Sequence, residues 1–217
     1  KKHNILLAVD NTFATPYLQR PIDLGADIVM HSATKYLGGH SDVVLGAIML
    51  NDKKLVDKLH FIQNASGAIC GPQDSFLVLR GIKTLHVRMQ RHCENGKIVA
   101  EYLASNPKIK NVYWPGLTTH SNHEIAKKQM KDFGGMVSFT VSGGRQEAEK
   151  ISASTKVFTL AESLGAVESL IEHPGAMTHA SVAGSPLEVP EDLIRISVGI
   201  ESQDDLLEDL ENALSVS

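Results

Sequence analysis

The chain has 217 residues, of which 42% are hydrophobic and 21% charged, and its formal net charge is −4 at pH 7. This composition is typical of an ordinary globular protein with one large or two small domains, and the negative charge argues against a nucleic-acid-binding surface. No apolar stretch is long enough to cross a bilayer, and no signal peptide opens the sequence. The two cysteines, Cys70 and Cys93, are too far apart for a redox or zinc pair and too few for a disulfide framework, which favours a reducing, cytoplasmic setting.

Two apolar segments near the start of the chain predict buried parallel strands that end in polar residues. Residues 5–9 are followed by Asp10, and the run at residues 28–30 leads to Ser32 and Lys35. Unbroken apolar runs of this kind are typical of strands covered on both faces of an α/β sheet. Because ligands bind at the carboxyl edge of such a sheet, we expect the acid and the lysine to lie there together.

These residue types suit the chemistry of pyridoxal phosphate. The amine of Lys35 can form a Schiff base with the cofactor's aldehyde, and the hydroxyls of Ser32 and Thr34 can hold its phosphate. Asp10 can keep the pyridine nitrogen protonated, which makes the ring a better electron sink. A single aspartate at a strand end is usually a turn or cap residue and a single lysine is usually solvated, but the order and spacing of the set favour the cofactor site.

The same residues begin a series of motifs through which the chain resembles the Cys/Met-metabolism family of pyridoxal phosphate enzymes. Members of this family include cystathionine γ-lyase, cystathionine γ-synthase, cystathionine β-lyase and methionine γ-lyase. The resemblance covers essentially the whole chain. Its motifs are Asp10-Asn11-Thr12, Ser32-Ala33-Thr34-Lys35-Tyr36, residues 38–43 (GGHSDV), 71–74 (GPQD), 80–85 (RGIKTL), 113–117 (YWPGL), 161–165 (AESLG), 177–180 (MTHA) and 194–199 (IRISVG).

The resemblance implies a fold and a domain organisation. It implies an α/β protein comprising the carboxyl-terminal part of an aminotransferase-like (fold type I) large domain, residues 1–82, followed by a small α+β domain, residues 83–217. Family members are similar to this chain only over their carboxyl-terminal portion. Upstream they carry a phosphate-cradling loop, a ring-stacking aromatic residue, and a Tyr and Arg lent to the neighbouring subunit. We therefore expect a fragment of a longer enzyme, or a second chain that supplies the rest, and a homotetramer (dimer of dimers) at full length.

The resemblance also implies roles for individual side chains. Lys35 is expected to hold the cofactor and to move protons between substrate carbons, and Thr12 to pack against one face of the ring. Arg195 matches the arginine that binds the substrate α-carboxylate, and Ser163 matches a serine of the substrate pocket. Without the resemblance, Arg195 reads as a solvated or ion-paired strand residue and Ser163 as the cap of a helix.

The remaining segments alternate between helix and strand patterns. Helices are expected from a cap at Asp52, from near Asp74, around residues 124–131 and 146–154, and after Ser202. A long apolar stripe, Leu85, Met89, Cys93, Gly96, Val99 and Leu103, predicts the helix that connects the two domains. Alternating residues at 137–141 and 194–198 predict half-exposed strands.

The ten histidines do not form a convincing catalytic or metal site. His40 lies in a Gly-rich loop, where a hydrogen-bonding scaffold role is the usual one. His120 and His123 are three residues apart, with His173 and His179 further on, but no carboxylate or cysteine joins them at ligand spacing. We expect no metal.

The function expected from the resemblance is γ-elimination or γ-replacement on sulfur amino acids, within trans-sulfuration and methionine and cysteine biosynthesis. Glu162 favours the γ-reactions, because cystathionine γ-lyases and γ-synthases are similar in having an acid at this place, where β-lyases often carry an aromatic residue. A glutamate beside a pocket can equally be a solvated rim residue. Two alternatives stay open: a cystathionine β-lyase or methionine γ-lyase, and a non-catalytic cofactor-binding fragment or regulatory subunit. Neither a nucleic acid nor a membrane is expected as a partner.

Overall fold

The fold was examined in a computed structural model, which describes residues 5–178, 184–186 and 188–216 together with residue 3. The chain divides into two compact units, residues 1–86 (unit 1) and residues 87–217 (unit 2). The expected boundary between residues 82 and 83 lies close to this division, and the identification of the two units with two domains stays a prediction. Among the described residues, no helix is both long and apolar enough to span a membrane.

Unit 1 is built on a small sheet whose first two strands are parallel. In its described residues the strand order is β1-β2-β3, and β2 pairs in parallel with β1 and antiparallel with β3. The Asp52 carboxylate accepts hydrogen bonds from the amides of Lys54 and Leu55, so the predicted cap of helix α2 is confirmed. The elements are β1 (Ala8–Asp10), α1 (Thr15–Leu18), β2 (Ile28–Ser32), β3 (Gly46–Met49), α2 (Lys53–Ser66) and α3 (Pro72–Ile82).

The prediction that the apolar run at residues 5–9 forms a strand buried on both faces is wrong, since Ile5 is 73% exposed. In the apolar run that leads into β3, which also has the pattern of a buried strand, Val44 is 89% exposed. Helix α2 likewise has no buried residue, although its sequence carries an apolar stripe. Within the described part of the chain, β1 and β3 are edge strands, each with a neighbour on one side only. An apolar run shows that a segment favours being covered, whereas the element that covers it is a property of the whole fold.

Unit 2 contains a second, larger sheet with helices packed on one face, as expected for an α+β domain. The strand order is β4-β5-β8-β7-β6, and all neighbouring pairs are antiparallel except β6 with β7. Phe139, Ile194 and Ile196 are fully buried between the sheet and the helices. The elements are α4 (Leu85–Ser105), β4 (Ile109–Tyr113), α5 (His123–Gln129), β5 (Met136–Val141), α6 (Gly144–Ser154), β6 (Thr159–Leu160), β7 (Leu170–Glu172), α7 (Pro174–Met177), β8 (Leu193–Ser197) and α8 (Gln203–Ser215).

The long helix α4 confirms the predicted apolar stripe. The five residues of this stripe that have apolar side chains are all at most 7% exposed. The sixth position, Gly96, has a packing reason: a Cβ added there would lie 2.5 Å from the carbonyl oxygen of Gly134. Glycine is otherwise unfavourable in a helix interior, so the close approach of the backbone of residue 134 accounts for it. The division between the units falls within the first turn of α4.

Two local predictions at helix starts are corrected. Ser202 occupies the cap position of α8, but its side chain makes no capping hydrogen bond. The reading of Ser163 as a helix cap is wrong, because residues 161–169 form an irregular loop between β6 and β7. Ser163 has φ of +99° in this loop, a backbone region that residues with a side chain rarely adopt.

Candidate cofactor and substrate residues

Asp10 and Thr12 form a hydrogen-bonded pair at the carboxyl end of β1. The Asp10 Oδ1 atom accepts hydrogen bonds from the Thr12 backbone amide at 3.0 Å and from the Thr12 hydroxyl at 2.6 Å. An aspartate that turns the chain in this way is common after a strand. The Asp10 side chain is exposed, and no described residue donates a hydrogen bond to its second oxygen, Oδ2. The protein therefore holds one oxygen of this exposed carboxylate and, among the described residues, donates no hydrogen bond to the other.

Thr12 also joins the ends of the two parallel strands. Its Oγ1 accepts a hydrogen bond from the Ser32 amide at 2.8 Å while its proton goes to Asp10. The hydroxyl is buried, so this bridge is protected from water. The structure thus brings Asp10 and Ser32 together at one edge of the sheet, and the expected meeting of Asp10 with Lys35 stays a prediction. The bridging role of Thr12 has no sequence signal, because it depends on the register of β1 against β2.

Lys35 lies in a tight turn that follows β2. The turn is closed by hydrogen bonds from the Gly38 amide to the Ala33 carbonyl at 2.8 Å and from the Gly39 amide to the Lys35 carbonyl at 2.7 Å. Tyr36 is fully buried directly beside Lys35, and Lys35 itself is half-buried. The turn is therefore fixed by its backbone and by a buried neighbour, which limits the positions that the lysine side chain can reach.

Ser32 and Thr34 flank the same turn and present hydroxyl groups. Thr34 Oγ1 accepts a hydrogen bond from the Leu45 amide at 3.0 Å, which leaves the hydroxyl proton available for donation. Both residues are half-buried. A phosphate carries only acceptor oxygens at neutral pH, so a hydroxyl with its proton still available is the complementary group.

His31 is a neighbour of this site that the sequence reading passed over. It precedes Ser32 on β2 and is 1% exposed. Burial lowers the pKa of His31, and the Asp10 carboxylate opposes that effect only in part. An imidazole of lowered pKa is neutral at pH 7, so His31 does not cancel the charge of Asp10. The sequence gives no signal that a histidine in an apolar strand lies beside a charged site residue, because most buried histidines are structural.

Arg195 occupies the face of β8 that points away from the hydrophobic core of unit 2. Ile194, Ile196 and Val198 are fully buried on the other face, so the predicted orientation of the strand is confirmed. The guanidinium Nη2 lies 3.0 Å from Oε1 of Glu172 and donates to the Ser163 carbonyl oxygen at 3.4 Å. Arg195 is thus a half-buried, ion-paired residue, which is one of the two readings that the sequence alone allowed.

Glu172 is the residue of unit 2 that the sequence reading missed. It ends β7, stands opposite Arg195 in the β7–β8 register, and is 1% exposed. Oε1 also accepts a hydrogen bond from the Thr178 hydroxyl at 3.1 Å, whereas Oε2 has no hydrogen-bond partner among the described residues. Buried carboxylates are rare without a charge partner. The pairing of Glu172 with Arg195 depends on the register of β7 against β8, which the sequence around residue 172 does not reveal.

The loop of Glu162 and Ser163 is fastened to β8 at two points. The Gly165 amide donates to the Ser197 hydroxyl at 2.8 Å, and the Ser163 carbonyl receives the contact from Arg195. Glu162 is exposed, Ser163 is half-buried, and both therefore lie at an accessible edge of unit 2. A positive φ at a residue other than glycine persists only where surrounding contacts enforce it, and such positions cluster at functional sites.

The histidines make contacts of a structural kind. His40 Nδ1 lies 2.8 Å from the Gly38 carbonyl, and His123 Nδ1 lies 2.8 Å from the Pro115 carbonyl. His173 Nδ1 accepts the Ala176 amide at the start of α7. In the described residues, no group of three or more His, Cys, Asp or Glu side chains could hold a metal ion, and His179 lies outside those residues.

Comparison with known proteins gives a consistent picture. The sequence model of the family described as "Cys/Met metabolism PLP-dependent enzyme" matches residues 1–215. The cystathionine γ-synthase of Mycobacterium tuberculosis is 61% identical over 206 residues, which cover 95% of this chain and 53% of that protein. The cystathionine β-lyase of Coxiella burnetii is 55% identical over 218 residues, which cover 99% of this chain and 56% of that protein.

A solved structure supports the fold. The crystal structure of cystathionine γ-lyase from Lactobacillus plantarum, complexed with L-serine, is similar with a TM-score of 0.93 and 45% identity, over 99% of this chain and 57% of that chain. The expected fold class is therefore confirmed. The chain spans about half the length of the curated relatives it matches.

Proposed function

Because the chain belongs to the Cys/Met metabolism family of PLP-dependent enzymes, we propose that it supplies the cofactor-anchoring and carboxylate-binding residues of an enzyme acting on sulfur amino acids. The proposed reaction is γ-replacement or γ-elimination, with cystathionine as product or substrate, in trans-sulfuration and in methionine and cysteine metabolism. The observation that carries the proposal is the Asp10–Thr12–Ser32 bridge, which links an exposed carboxylate to the end of β2, the strand that leads into the turn with Lys35.

The residues of unit 1 fit pyridoxal 5'-phosphate. When bound, the cofactor supplies an electron sink that stabilises negative charge on the substrate carbon next to the amine. Asp10 offers Oδ2 to the ring nitrogen, while Oδ1 stays fixed by Thr12. The carboxylate charge raises the proton affinity of that nitrogen. Burial lowers the pKa of the nearby His31, so this histidine is neutral and does not compensate the charge of Asp10.

Lys35 is the proposed catalytic residue. Its amine would hold the cofactor's aldehyde carbon until a substrate amine replaces it, and would then take and return protons at the substrate α- and β-carbons. The backbone hydrogen bonds of the turn at residues 33–39 fix its Cα position. With its Cα position fixed by the turn, the lysine amine would reach both the α- and the β-carbon without a movement of the backbone between the two proton transfers.

The hydroxyls of Ser32 and Thr34 are the proposed phosphate donors. The Leu45 amide occupies one lone pair of Thr34 Oγ1, so its proton is directed elsewhere. Thr12 uses its hydroxyl for Asp10 and Ser32, which leaves its methyl group as the part that would pack against the cofactor ring. In unit 2, Arg195 is proposed to bind the substrate α-carboxylate, with Ser163 beside it.

The choice of γ-chemistry is supported by Glu162 and by relatives that are named cystathionine γ-synthase. A γ-reaction removes a second proton, from the β-carbon, and breaks a bond one carbon further out. It therefore needs room and a polar group near the distal end of the substrate. Glu162 is an exposed acid at the edge of the loop that contacts Arg195. The 55% identity to a cystathionine β-lyase makes β-elimination the second candidate.

Product analysis with cystathionine separates these two reactions. For the complete enzyme we expect 2-oxobutanoate and cysteine, the products of γ-elimination, and cystathionine formation when an activated homoserine ester is supplied with cysteine. Predominant pyruvate and homocysteine, with no replacement reaction, would contradict the γ-assignment. The Glu162→Ala variant should shift the product ratio, with Glu124→Gln, which changes a glutamate that is 83% exposed, as the matched control.

The assignment of Lys35 is tested by covalent labelling. Borohydride reduction of the cofactor-loaded enzyme should attach the cofactor to the peptide that contains Lys35, read by mass spectrometry. Lys35→Ala should retain the fold and lose nearly all turnover, by about 100-fold or more. Label recovered on Lys83 or Lys97 instead would show that the assignment is wrong. A protein that absorbs visible light with the cofactor and is labelled at Lys35, but releases no product, would favour a non-catalytic cofactor-binding fragment or regulatory subunit.

The setting and assembly of the enzyme are also proposed. We propose a cytoplasmic homotetramer, arranged as a dimer of dimers, with a small amino acid as its ligand and with neither a nucleic acid nor a membrane as partner. Exposed apolar side chains on α2 and α3 support an assembly, because large solvent-facing apolar patches are typical of interfaces. They include Phe61, Ile62, Phe76 and Leu79. Light scattering of the complete enzyme should give the mass of four chains.

A further inference from the structure

Arg195 is held by two groups of unit 2 before any ligand arrives. Glu172 Oε1 lies 3.0 Å from Nη2, and the Ser163 carbonyl accepts from the same nitrogen at 3.4 Å. A guanidinium has five N–H donors on three nitrogens. Contacts at Nη2 therefore leave the donors of Nη1 and Nε, which no described residue contacts, for an incoming carboxylate.

The pair is a permanent part of the sheet. Glu172 and Arg195 stand opposite each other on neighbouring antiparallel strands, and the next pair in the same register, Ile171 with Ile196, lies in the core. The strand pairing keeps the two residues side by side, so their ion pair forms without any rearrangement of the backbone. We expect a substrate carboxylate to bind in addition to Glu172 and not to replace it.

Burial of the Glu172 carboxylate removes its hydration, so this residue is not expected to contribute much to the stability of the fold. The residue is 1% exposed, and Oε2 has no hydrogen-bond partner among the described residues. Buried ion pairs are often no more stabilising than an apolar pair of the same volume, because both charges lose their hydration. What such a pair provides is a fixed geometry for the guanidinium.

We propose that Glu172 is the positioning residue of the substrate carboxylate site: its buried carboxylate fixes the Arg195 guanidinium, with the Ser163 carbonyl as second support, so that the free donors face the substrate. The inference rests on the proposed function, in which Arg195 binds the α-carboxylate. Arginine loses much side-chain freedom when it is ordered. If Arg195 is already ordered in the free enzyme, the entropy cost of ordering its side chain does not reduce the free energy of substrate binding.

The test measures binding of a carboxylate against a matched ligand without one. The ligands are L-norvaline, an amino acid with no γ-leaving group, and butylamine, which is the same molecule without the carboxylate, both as competitive inhibitors of the complete, cofactor-loaded enzyme. Glu172→Ala should weaken norvaline binding about tenfold and leave butylamine binding unchanged. The Michaelis constant should rise by a similar factor while the turnover number changes much less.

Conservative and volume-matched variants separate positioning from general damage. Glu172→Gln keeps an oxygen that can accept from Arg195 and Thr178, and should hold norvaline binding within about threefold of the parent. Glu172→Met fills the space without an acceptor and should behave like Glu172→Ala; it takes that variant's place if alanine prevents folding. Glu124→Gln, far from these contacts in sequence and exposed, should change neither ligand.

The outcomes distinguish this inference from the proposed function. If Arg195→Lys fails to weaken norvaline relative to butylamine, Arg195 is not the carboxylate site and both proposals are overturned. If Arg195→Lys weakens norvaline selectively but Glu172→Ala and Glu172→Met do not, only the positioning role of Glu172 is wrong. Equal weakening of norvaline and butylamine by the Glu172 variants would indicate a structural role and would also overturn it.

Discussion

At the scale of single residues, the two oxygens of the Asp10 carboxylate have different hydrogen-bond environments. Oδ1 is held by the amide and the hydroxyl of Thr12, and no described residue donates a hydrogen bond to Oδ2. This division means that the position of the carboxylate does not depend on a bound ligand. We therefore propose an electronic role for Asp10, and we propose that the hydroxyls of Ser32 and Thr34 anchor the phosphate of the cofactor.

Asp10→Asn tests that separation of electronics from anchoring. The amide keeps the shape of the side chain but removes its charge, so the ring nitrogen loses the group that favours its protonation. Turnover should fall by about 100-fold, while cofactor affinity changes by only a few fold. Both quantities follow from activity assays and from visible titration with the cofactor. Asp23→Asn, an exposed aspartate of the same unit, is the control; equal losses in turnover and affinity would show that Asp10 is only an anchor.

At the scale of elements, the candidate cofactor site depends on the alignment of two strand ends. The Thr12 hydroxyl links Asp10, which ends β1, to Ser32, which ends β2, and the Thr12–Ser32 hydrogen bond spans a sequence separation of 20 residues. A buried hydroxyl with two partners contributes a geometric constraint as well as stability. The alignment brings the polar residues after two separate strands into one hydrogen-bonded group.

Substitutions at Thr12 separate its hydroxyl from its methyl group. Thr12→Val retains the shape and removes the bridge, which leaves the amide of the half-buried Ser32 without its acceptor. We expect the free energy of unfolding to fall by about 1–3 kcal/mol, and turnover to fall with it. Thr12→Ser keeps the bridge and loses only the methyl group, so stability should be almost retained while cofactor affinity falls. Urea unfolding and cofactor titration give the two values; a Thr12→Val protein as stable as the parent would contradict the bridging role.

At the scale of the whole molecule, the two units differ in how their apolar residues are used. Unit 2 packs its sheet against α4, α6 and α8 around one core, with Leu206 and Leu210 fully buried. The described part of unit 1 has a smaller set of buried side chains and exposes Ile5 and Phe61. Buried polar side chains also lie in the first half of α4, at Arg88, His92 and Asn95, and Asn95 donates to the Gly199 carbonyl at 2.9 Å.

One of these buried polar groups predicts acid sensitivity of unit 2. His92 is fully buried and donates from Nδ1 to the Val198 carbonyl at 2.7 Å. Burial lowers its pKa to about 4, and the positive charge of Arg88 acts in the same direction. An unfolded histidine titrates near about 6.5, so between these values the unfolded chain binds more protons than the folded one. Stability is therefore complete above that pH and is lost as the pH falls towards about 4.

The loss expected from His92 is about 3 kcal/mol over this interval. It is measured by urea unfolding between pH 4 and pH 8, followed by a probe in unit 2 such as the fluorescence of Trp114. In His92→Gln the pH dependence in this window should become shallower, although the protein is less stable at pH 7. His60→Gln, an exposed histidine of unit 1, should leave the slope unchanged. An unaltered slope in His92→Gln would show that another group carries the acid sensitivity.

The sequence by itself determined which residues form the candidate cofactor site and which helix is continuous. Apolar runs ending at Asp10 and before Lys35 identify strand ends, and the stripe along α4 identifies its buried face, because both signals are local periodicities. The alternation around Arg195 likewise determined the face of β8 on which it lies. The family followed from motifs that occur in one order along the chain.

Only the tertiary structure decided which groups contact each other across strands. The bridge from Thr12 to Ser32 and the pair of Glu172 with Arg195 both depend on strand register, over separations that no local pattern encodes. The same is true of exposure: residues 5–7 read as a buried strand, yet they stand at an edge of the described sheet. Local sequence sets what a segment favours, and the free energy of packing against distant segments decides which neighbour it receives.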